Sequence, residues 1–224
     1  MINLGVLGST KGTDLQVIID AISEKKLNAK IAVVISNNSD AFILERAKNH
    51  DIPAKFISHK SKERHLFDYE ITLILKKHKV DLVLLIGFMR ILSSEFCKEW
   101  NKKIINVHPS LLPKYKGLHA VEQAMEAGEQ YTGATVHYVT EELDGGPIII
   151  QSKVPIMPDD DVKSLTKAIQ RREYAVLPLA IEYVKHELQK PNSGYLLQDD
   201  IYGWDGGSLR EDLDEQVVRT QQLC

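Results

Sequence analysis

A doubly wound α/β fold, with a mostly parallel sheet and a C-terminal antiparallel hairpin, is predicted by two observations. Short runs rich in Val, Ile and Leu alternate with amphipathic helical stretches through the first half of the chain. Past residue 130, two alternating segments flank an Asp-Gly-Gly turn. The first pattern is that of βαβ units, whose strands read as continuous apolar runs because helices cover both faces. The second is that of a hairpin.

Taken in order, the first strand is Ile2–Leu7, and the glycine-rich loop behind it opens a helix at 14–24. Strands at 31–36, 54–57, 81–86 and 104–107 follow, with amphipathic helices at 41–50 and 62–78. The run Val83-Leu84-Leu85-Ile86 has no polar position, as a strand buried on both faces requires. Beyond Val107 a loop rich in Pro, Leu and Gly runs to Gly117, and 118–127 returns to helical spacing. Segments 132–140 and 147–155 alternate as strands around a broad connection from Glu141 to Gly146, and 162–186 reads as one long helix or two. Residues 1–190 are therefore expected to form one domain. From Pro191 to Cys224, seven acidic residues stand against two arginines, with three glycines around Trp204. That composition is expected of an acidic peripheral tail at 191–224.

Composition narrows the function classes. A net charge of −3 supplies no bulk attraction for a polyanion, so a wide nucleic-acid footprint is not expected. The two cysteines, Cys97 and Cys224, are far apart and in no metal-ligand or redox spacing, which suits a reducing compartment. The apolar start is broken at Gly8 and is too short for a signal peptide or a membrane span, so a cytoplasmic protein is expected.

Three constellations carry chemistry. The loop Gly8-Ser9-Thr10-Lys11-Gly12-Thr13-Asp14 joins a strand to a helix, and its N–H groups with the helix N-terminus form a candidate anion site. It is neither a Walker A loop nor a GxGxxG fingerprint. Asn106-Val107-His108-Pro109 lies directly behind a buried strand, where open α/β sheets bind ligands, and Asn106 and His108 leave the same side of an extended segment. Alone, that pair reads more readily as a capping amide with a structural imidazole. Asp144, in Leu143-Asp144-Gly145-Gly146, is ordinary turn chemistry by itself; beside a histidine, its carboxylate would hold an imidazolium and raise its pKa.

The segment from Asn106 to Gly117, the run Gly87-Phe88-Met89-Arg90-Ile91-Leu92 and Glu142-Leu143-Asp144-Gly145-Gly146 closely resemble the phosphoribosylglycinamide formyltransferases, purine-synthesis enzymes that use 10-formyltetrahydrofolate. Phe42, Leu44-Glu45-Arg46-Ala47 and Glu173 also match, and the similarity covers roughly residues 2 to 188. The resemblance implies the Rossmann-like formyltransferase fold, and Asn106, His108 and Asp144 as the catalytic set. It implies a folate pocket from Met89, Arg90, Ile91 and Leu92 with the loop residues Val139, Thr140, Glu141 and Leu143, while Arg64 faces the folate glutamate. Gly12, Thr13 and Asp14 hold the phosphate of glycinamide ribonucleotide, Pro109 lines its site and Glu173 receives its amine. Formyl folate is a co-substrate, no metal is required, and a homodimer is compatible.

Acyl transfer to an amine places negative charge on the formyl oxygen, which Asn106 and a protonated His108 would stabilise with Asp144 as support. Sister enzymes share these motifs. The one that formylates methionyl-tRNA carries a basic C-terminal module where this chain has an acidic tail, and the formyl-folate hydrolase carries an N-terminal regulatory domain where this chain opens its first strand at Ile2; the small-molecule transferase is therefore expected. A silent folate- or nucleotide-binding relative and a sugar-nucleotide formyltransferase are further alternatives. The phosphate loop departs from the usual Gly-x-Gly-Ser-Asn by placing Asp14 where a neutral amide is usual. An acid at a helix N-terminus stabilises the helix by roughly 0.3–1 kcal/mol but repels phosphate. Asp14 is therefore expected to turn outward or to be offset by Lys11.

Overall fold

Why the first six residues form a strand is plain from their surroundings: Leu4, Val6 and Leu7 are fully buried, and the strand pairs on both sides. The computed structural model describes residues 1–190 and the pair Val217–Val218. These fall into two compact units, Met1–Asn106 with Tyr138–Gly145, and Val107–His137 with the chain from Gly146 onward. Among the described residues no helix is long and apolar enough to cross a membrane.

The first unit is a wound parallel sheet. Its elements are β1 (Ile2–Leu7), α1 (Thr13–Ser23), β2 (Ala29–Ser36), α2 (Phe42–Asn49), β3 (Ala54–Phe56), α3 (Arg64–Lys77), β4 (Leu82–Leu85), α4 (Ser94–Glu99) and most of β5 (Ile104–His108). The strand order is β3-β2-β1-β4-β5, with every neighbour parallel. One core cluster fills it, with Phe67, Ile71 and Leu75 of α3 meeting Leu7, Val83 and Ile104 of the sheet and Phe96 and Trp100 beyond. Phe67, Ile71 and Leu75 recur at the i, i+4 spacing that lines one face of a helix. At six residues, α4 is too short to show a period, and no helix is expected there from the sequence. Ser93 caps it, its Oγ accepting from the Phe96 N–H at 3.2 Å.

The second unit contains α5 (Ala120–Glu126), β6 (Tyr131–Tyr138), β7 (Ile148–Pro155), α6 (Val162–Gln189) and β8 (Val217–Val218). Strands β6 and β7 run antiparallel, with a register shift between Val136 and His137. The hairpin therefore opens two residues earlier than the alternation predicts. Val121, Ala134, Val154, Leu165 and Ile169 form its apolar cluster. The segment read as one helix or two is a single helix of 28 residues with Pro178 inside it, started by a capping box between Asp161 and Ser164. Val217 and Val218 pair antiparallel with Ser152 and Gln151 of β7. The rest of the acidic tail lies outside the described residues. The expected fold class, a doubly wound mostly parallel α/β sheet with an antiparallel hairpin, is the one observed.

Two glycines of the second unit separate two kinds of constraint. A Cβ on Gly133 would collide with the main-chain carbonyl oxygen of Ser152 on the paired strand, which cannot move without breaking the ladder. Gly128 has a φ of +66° but nothing within 4 Å of such a Cβ. Gly133→Ala should therefore cost about 3 kcal/mol or more, the upper range for overpacking. Gly128→Ala should cost only about 1–2 kcal/mol of left-handed strain. Denaturant melts of both variants check the order, and equal losses would show that the strand contact relaxes.

Candidate active site

In the first unit the order of strands reverses at β1, which lies between β2 and β4. The chain thus leaves β1 and β4 toward opposite sides, and the crevice at their carboxyl ends is where open α/β sheets take ligands. Here the two loops close on each other. Ser9 N donates to Gly87 O at 3.0 Å, and Met89 N donates to Ser9 Oγ at 2.9 Å. Ser9 Oγ in turn donates to Asn37 Oδ1 at 2.6 Å, and Asn37 Nδ2 lies 3.3 Å from His59 Nδ1. A Cβ on Gly8 would stand 2.8 Å from the Ile86 carbonyl oxygen, and one on Gly87, at φ +55°, would meet the Thr10 hydroxyl.

Gly12 caps α1 at φ 63° with no side-chain cap, which leaves first-turn N–H groups for an anion. Its left-handed conformation and the packing of Ile43 against it leave no room for a Cβ. Thr13 is half-buried beside it. Asp14 does not turn outward: the residue is 8% exposed, and its Oδ1 is buried without a hydrogen-bond partner. Burial pushes the carboxyl up from the ordinary 3.8 to about 6, opposed by a hydrogen bond from its own backbone N–H. Lys11, the expected counter-charge, is exposed, and its main-chain carbonyl accepts from Arg46 Nε at 3.4 Å.

The residues assigned to folate are two stretches of the first unit and, apart from them, Arg64 of α3. Met89 and Ile91 are 57% and 52% exposed at the carboxyl end of β4, an accessible apolar surface of the kind a flat heterocycle covers. Leu92 is buried in the core cluster, so its side chain is committed to packing. Arg90 turns its guanidinium over the Phe67 ring, 4.9 Å from the centroid. Arg64 is the exposed first residue of α3. In the other stretch, Val139 N donates to Ile104 O at 3.0 Å, and the Cys97 thiol donates to Thr140 O at 3.5 Å. Glu141 pairs with Lys98 at 3.4 Å, and Leu143 is 51% exposed. Burial, and then the charges of Glu141 and Asp68, push the Cys97 thiol up.

Asp144 ends that stretch at φ 47°, a left-handed conformation that Asp tolerates. Asn106 of β5 donates from Nδ2 to Asp144 Oδ1 at 3.5 Å, so residues 38 apart in sequence meet. His108 follows Asn106 by two on the same strand, the spacing at which side chains leave one face. Within the second unit His108 is 5% exposed, and its Nε2 lies 2.8 Å from the Tyr115 carbonyl oxygen. A carbonyl only accepts, so Nε2 carries the hydrogen. Pro109 is half-buried behind it, and Glu173 is buried on α6.

Sequence reasoning passed over Asn37, His59 and Asp68. The first two stand just past the ends of β2 and β3, and their position at carboxyl ends of parallel strands was the available signal. Asp68 gave none, since one acid on an amphipathic helix reads as a solvated charge.

Burial reverses the sign expected for Asp14. A carboxyl whose folded pKa lies above its unfolded one destabilises the fold once it ionises, a penalty absent below about pH 4 and complete above about pH 6. The shift corresponds to about 3 kcal/mol. Asp14→Asn should therefore raise stability at pH 7.5 by up to that amount, with the gain fading as the pH falls to 4. Thermal melts of both proteins across this range check it, and a pH-independent difference would place the ionised carboxylate in a solvated setting.

A family model described as formyl transferase matches residues 2–181. The phosphoribosylglycinamide formyltransferase of Haemophilus influenzae is 45% identical over 184 residues, which cover 82% of this chain and 87% of that protein. The trifunctional purine biosynthetic protein adenosine-3 of Drosophila melanogaster is 48% identical over 181 residues, 80% of this chain but only 13% of that longer protein. Among solved structures, glycinamide ribonucleotide transformylase 1 from Symbiobacterium toebii aligns with a TM-score of 0.81 at 39% identity, covering 84% of this chain and 89% of the other. With a family model over most of its length and a relative matched nearly end to end, the chain belongs to the formyl transferase family.

Proposed function

We propose that this chain transfers the formyl group of 10-formyltetrahydrofolate to the amine of 5'-phosphoribosylglycinamide, with Asn106, His108 and Asp144 at the reacting carbon. The observation that carries the reading is the approach of the Asn106 amide to the Asp144 carboxylate at the carboxyl end of β5, with His108 two residues further along the strand. Residues 1–190 act as the formyltransferase domain and 191–224 as its peripheral tail, in the cytoplasm.

Formyl folate supplies the formyl carbon, and the exposed apolar side chains of Met89 and Ile91 support the reading that its pterin packs there. The amine attacks that carbon, and negative charge develops on the formyl oxygen. Asn106 Nδ2 and protonated His108 donate hydrogen bonds to that oxygen, the preorganised stabilisation acyl transfer needs. Tyr115 O holds the imidazole at Nε2, so charging His108 adds the proton at Nδ1. Asp144 supports the cation and takes part in moving one proton from the attacking amine, directly or through water, to the departing folate nitrogen. Bond formation and bond cleavage then balance with no nucleophilic side chain. Gly12 and Thr13 hold the phosphate through N–H groups of the α1 N-terminus, beside Asp14, whose own N–H is turned to its carboxyl, while Pro109 lines the ribonucleotide and Glu173 receives its amine.

The deciding assay measures formyl transfer to glycinamide ribonucleotide beside a control with water as the only acceptor. Formylated product should appear with the amine and stay near background without it; equal folate turnover in both arms would make the chain a hydrolase. Asp144→Asn should lower kcat about a hundredfold or more, the scale of acid–base and oxyanion contributions, while folate affinity changes little. Near-normal turnover of that variant across neutral pH would remove Asp144 from the chemistry.

A further inference from the structure

The segment Met89–Leu92 is anchored at its far end by a buried carboxylate that the proposed chemistry does not use. Asp68 of α3 is 2% exposed, and its Oδ2 accepts the Ser93 N–H at 2.6 Å. The Ser93 hydroxyl also hydrogen-bonds to it, and the same hydroxyl caps α4. Burial pushes Asp68 above the usual carboxylate range, opposed by the two Ser93 bonds and by the charges of Arg90 and Arg64. From α4 the Cys97 thiol also feels its charge.

These groups sort by what each requires. A neutral amide oxygen could satisfy the Ser93 N–H as well as a carboxylate does, so that bond alone does not explain a charged residue in an apolar core. What a charge adds is attraction for guanidinium groups. Arg64 precedes Asp68 by one helical turn on α3, at the i, i+4 spacing that puts both on one face. Arg90 lies over the ring of Phe67, the neighbour of Asp68, and its Nε is buried with no hydrogen-bond partner. Arg64 and Arg90, both assigned to the co-substrate, thus lie where the charge of one buried carboxylate acts on them at a distance, and the same carboxylate accepts from the main chain directly after Leu92.

We propose that Asp68 is the positioning residue of the folate half of the site: it pins the end of the Met89–Leu92 segment through Ser93 and orients Arg90 and Arg64, so that co-substrate affinity depends on it and affinity for the amine substrate does not. The inference rests on the reading of Met89–Leu92 and Arg64 as folate-facing. Asp68 touches no reacting atom, and its effect is on KM for the folate and not on kcat.

Steady-state formyl transfer, with the folate and the ribonucleotide varied in turn, tests it. Asp68→Asn, which keeps an acceptor for Ser93 and removes the charge, should raise the folate KM about tenfold, the scale of one charge-assisted hydrogen bond, with ribonucleotide KM and kcat within about twofold of wild type. Ser93→Ala, which removes only the hydroxyl, should raise the folate KM about threefold. If Asp68→Asn does not fold, Ser93→Ala decides alone. An unchanged folate KM, or an equal rise in both KM values, overturns the proposal. Ile91→Ala, at an exposed side chain of the same segment, separates the two levels. A raised folate KM there with none in Asp68→Asn overturns the positioning role alone, whereas no change in either overturns the folate reading of the segment as well.

Discussion

The hydrogen bonds between Ser9 and the loop behind β4 hold together the loops at the carboxyl ends of β1 and β4. Parallel strands end with unpaired main-chain groups at their carboxyl ends, and something must satisfy them or hold them ready for a ligand. Ser9 satisfies them twice, with its N–H, which donates to Gly87, and with its hydroxyl, which accepts from Met89 and donates to Asn37. One side chain thereby ties the start of the proposed folate segment to the proposed phosphate loop. The absence of a side chain at Gly8 and Gly87 follows from the same closeness, since a Cβ at either would push the loops apart.

Much of this architecture is legible in the residues. The β4 run is apolar throughout because both its faces are covered, and the helices of the first unit carry their apolar residues on one stripe. Where the sequence misleads, a tertiary contact overrides a local rule. Alternation extends the β6 strand to residue 140, but Val139 hydrogen-bonds to Ile104 and so leaves the hairpin early. Helix α4 is held by its cap and by packing, neither of which leaves a period in six residues.

The site divides in the same way. Asn106 and His108 are readable as a pair because strand geometry alone puts them on one face. That Asp144 reaches Asn106 depends on the path of a loop from β6 and on a left-handed residue at its end, which no spacing rule encodes. Asp14 is the sharper case. Its helix N-terminus argues for stabilisation, and burial argues for more than that in the opposite direction, since losing water costs a carboxylate more than a helix dipole returns. Exposure decides between the two, and exposure is a property of the packed chain.

The acceptor that fixes the His108 tautomer is a main-chain carbonyl, the one at Tyr115. A side-chain acceptor could be lost by a single codon change; a carbonyl is present whatever residue occupies position 115. Position 115 can therefore change its side chain without removing the acceptor that holds the imidazole hydrogen at Nε2. The identity of residue 115, whose hydroxyl reaches Glu129, and the orientation of the imidazole are in this sense separately heritable.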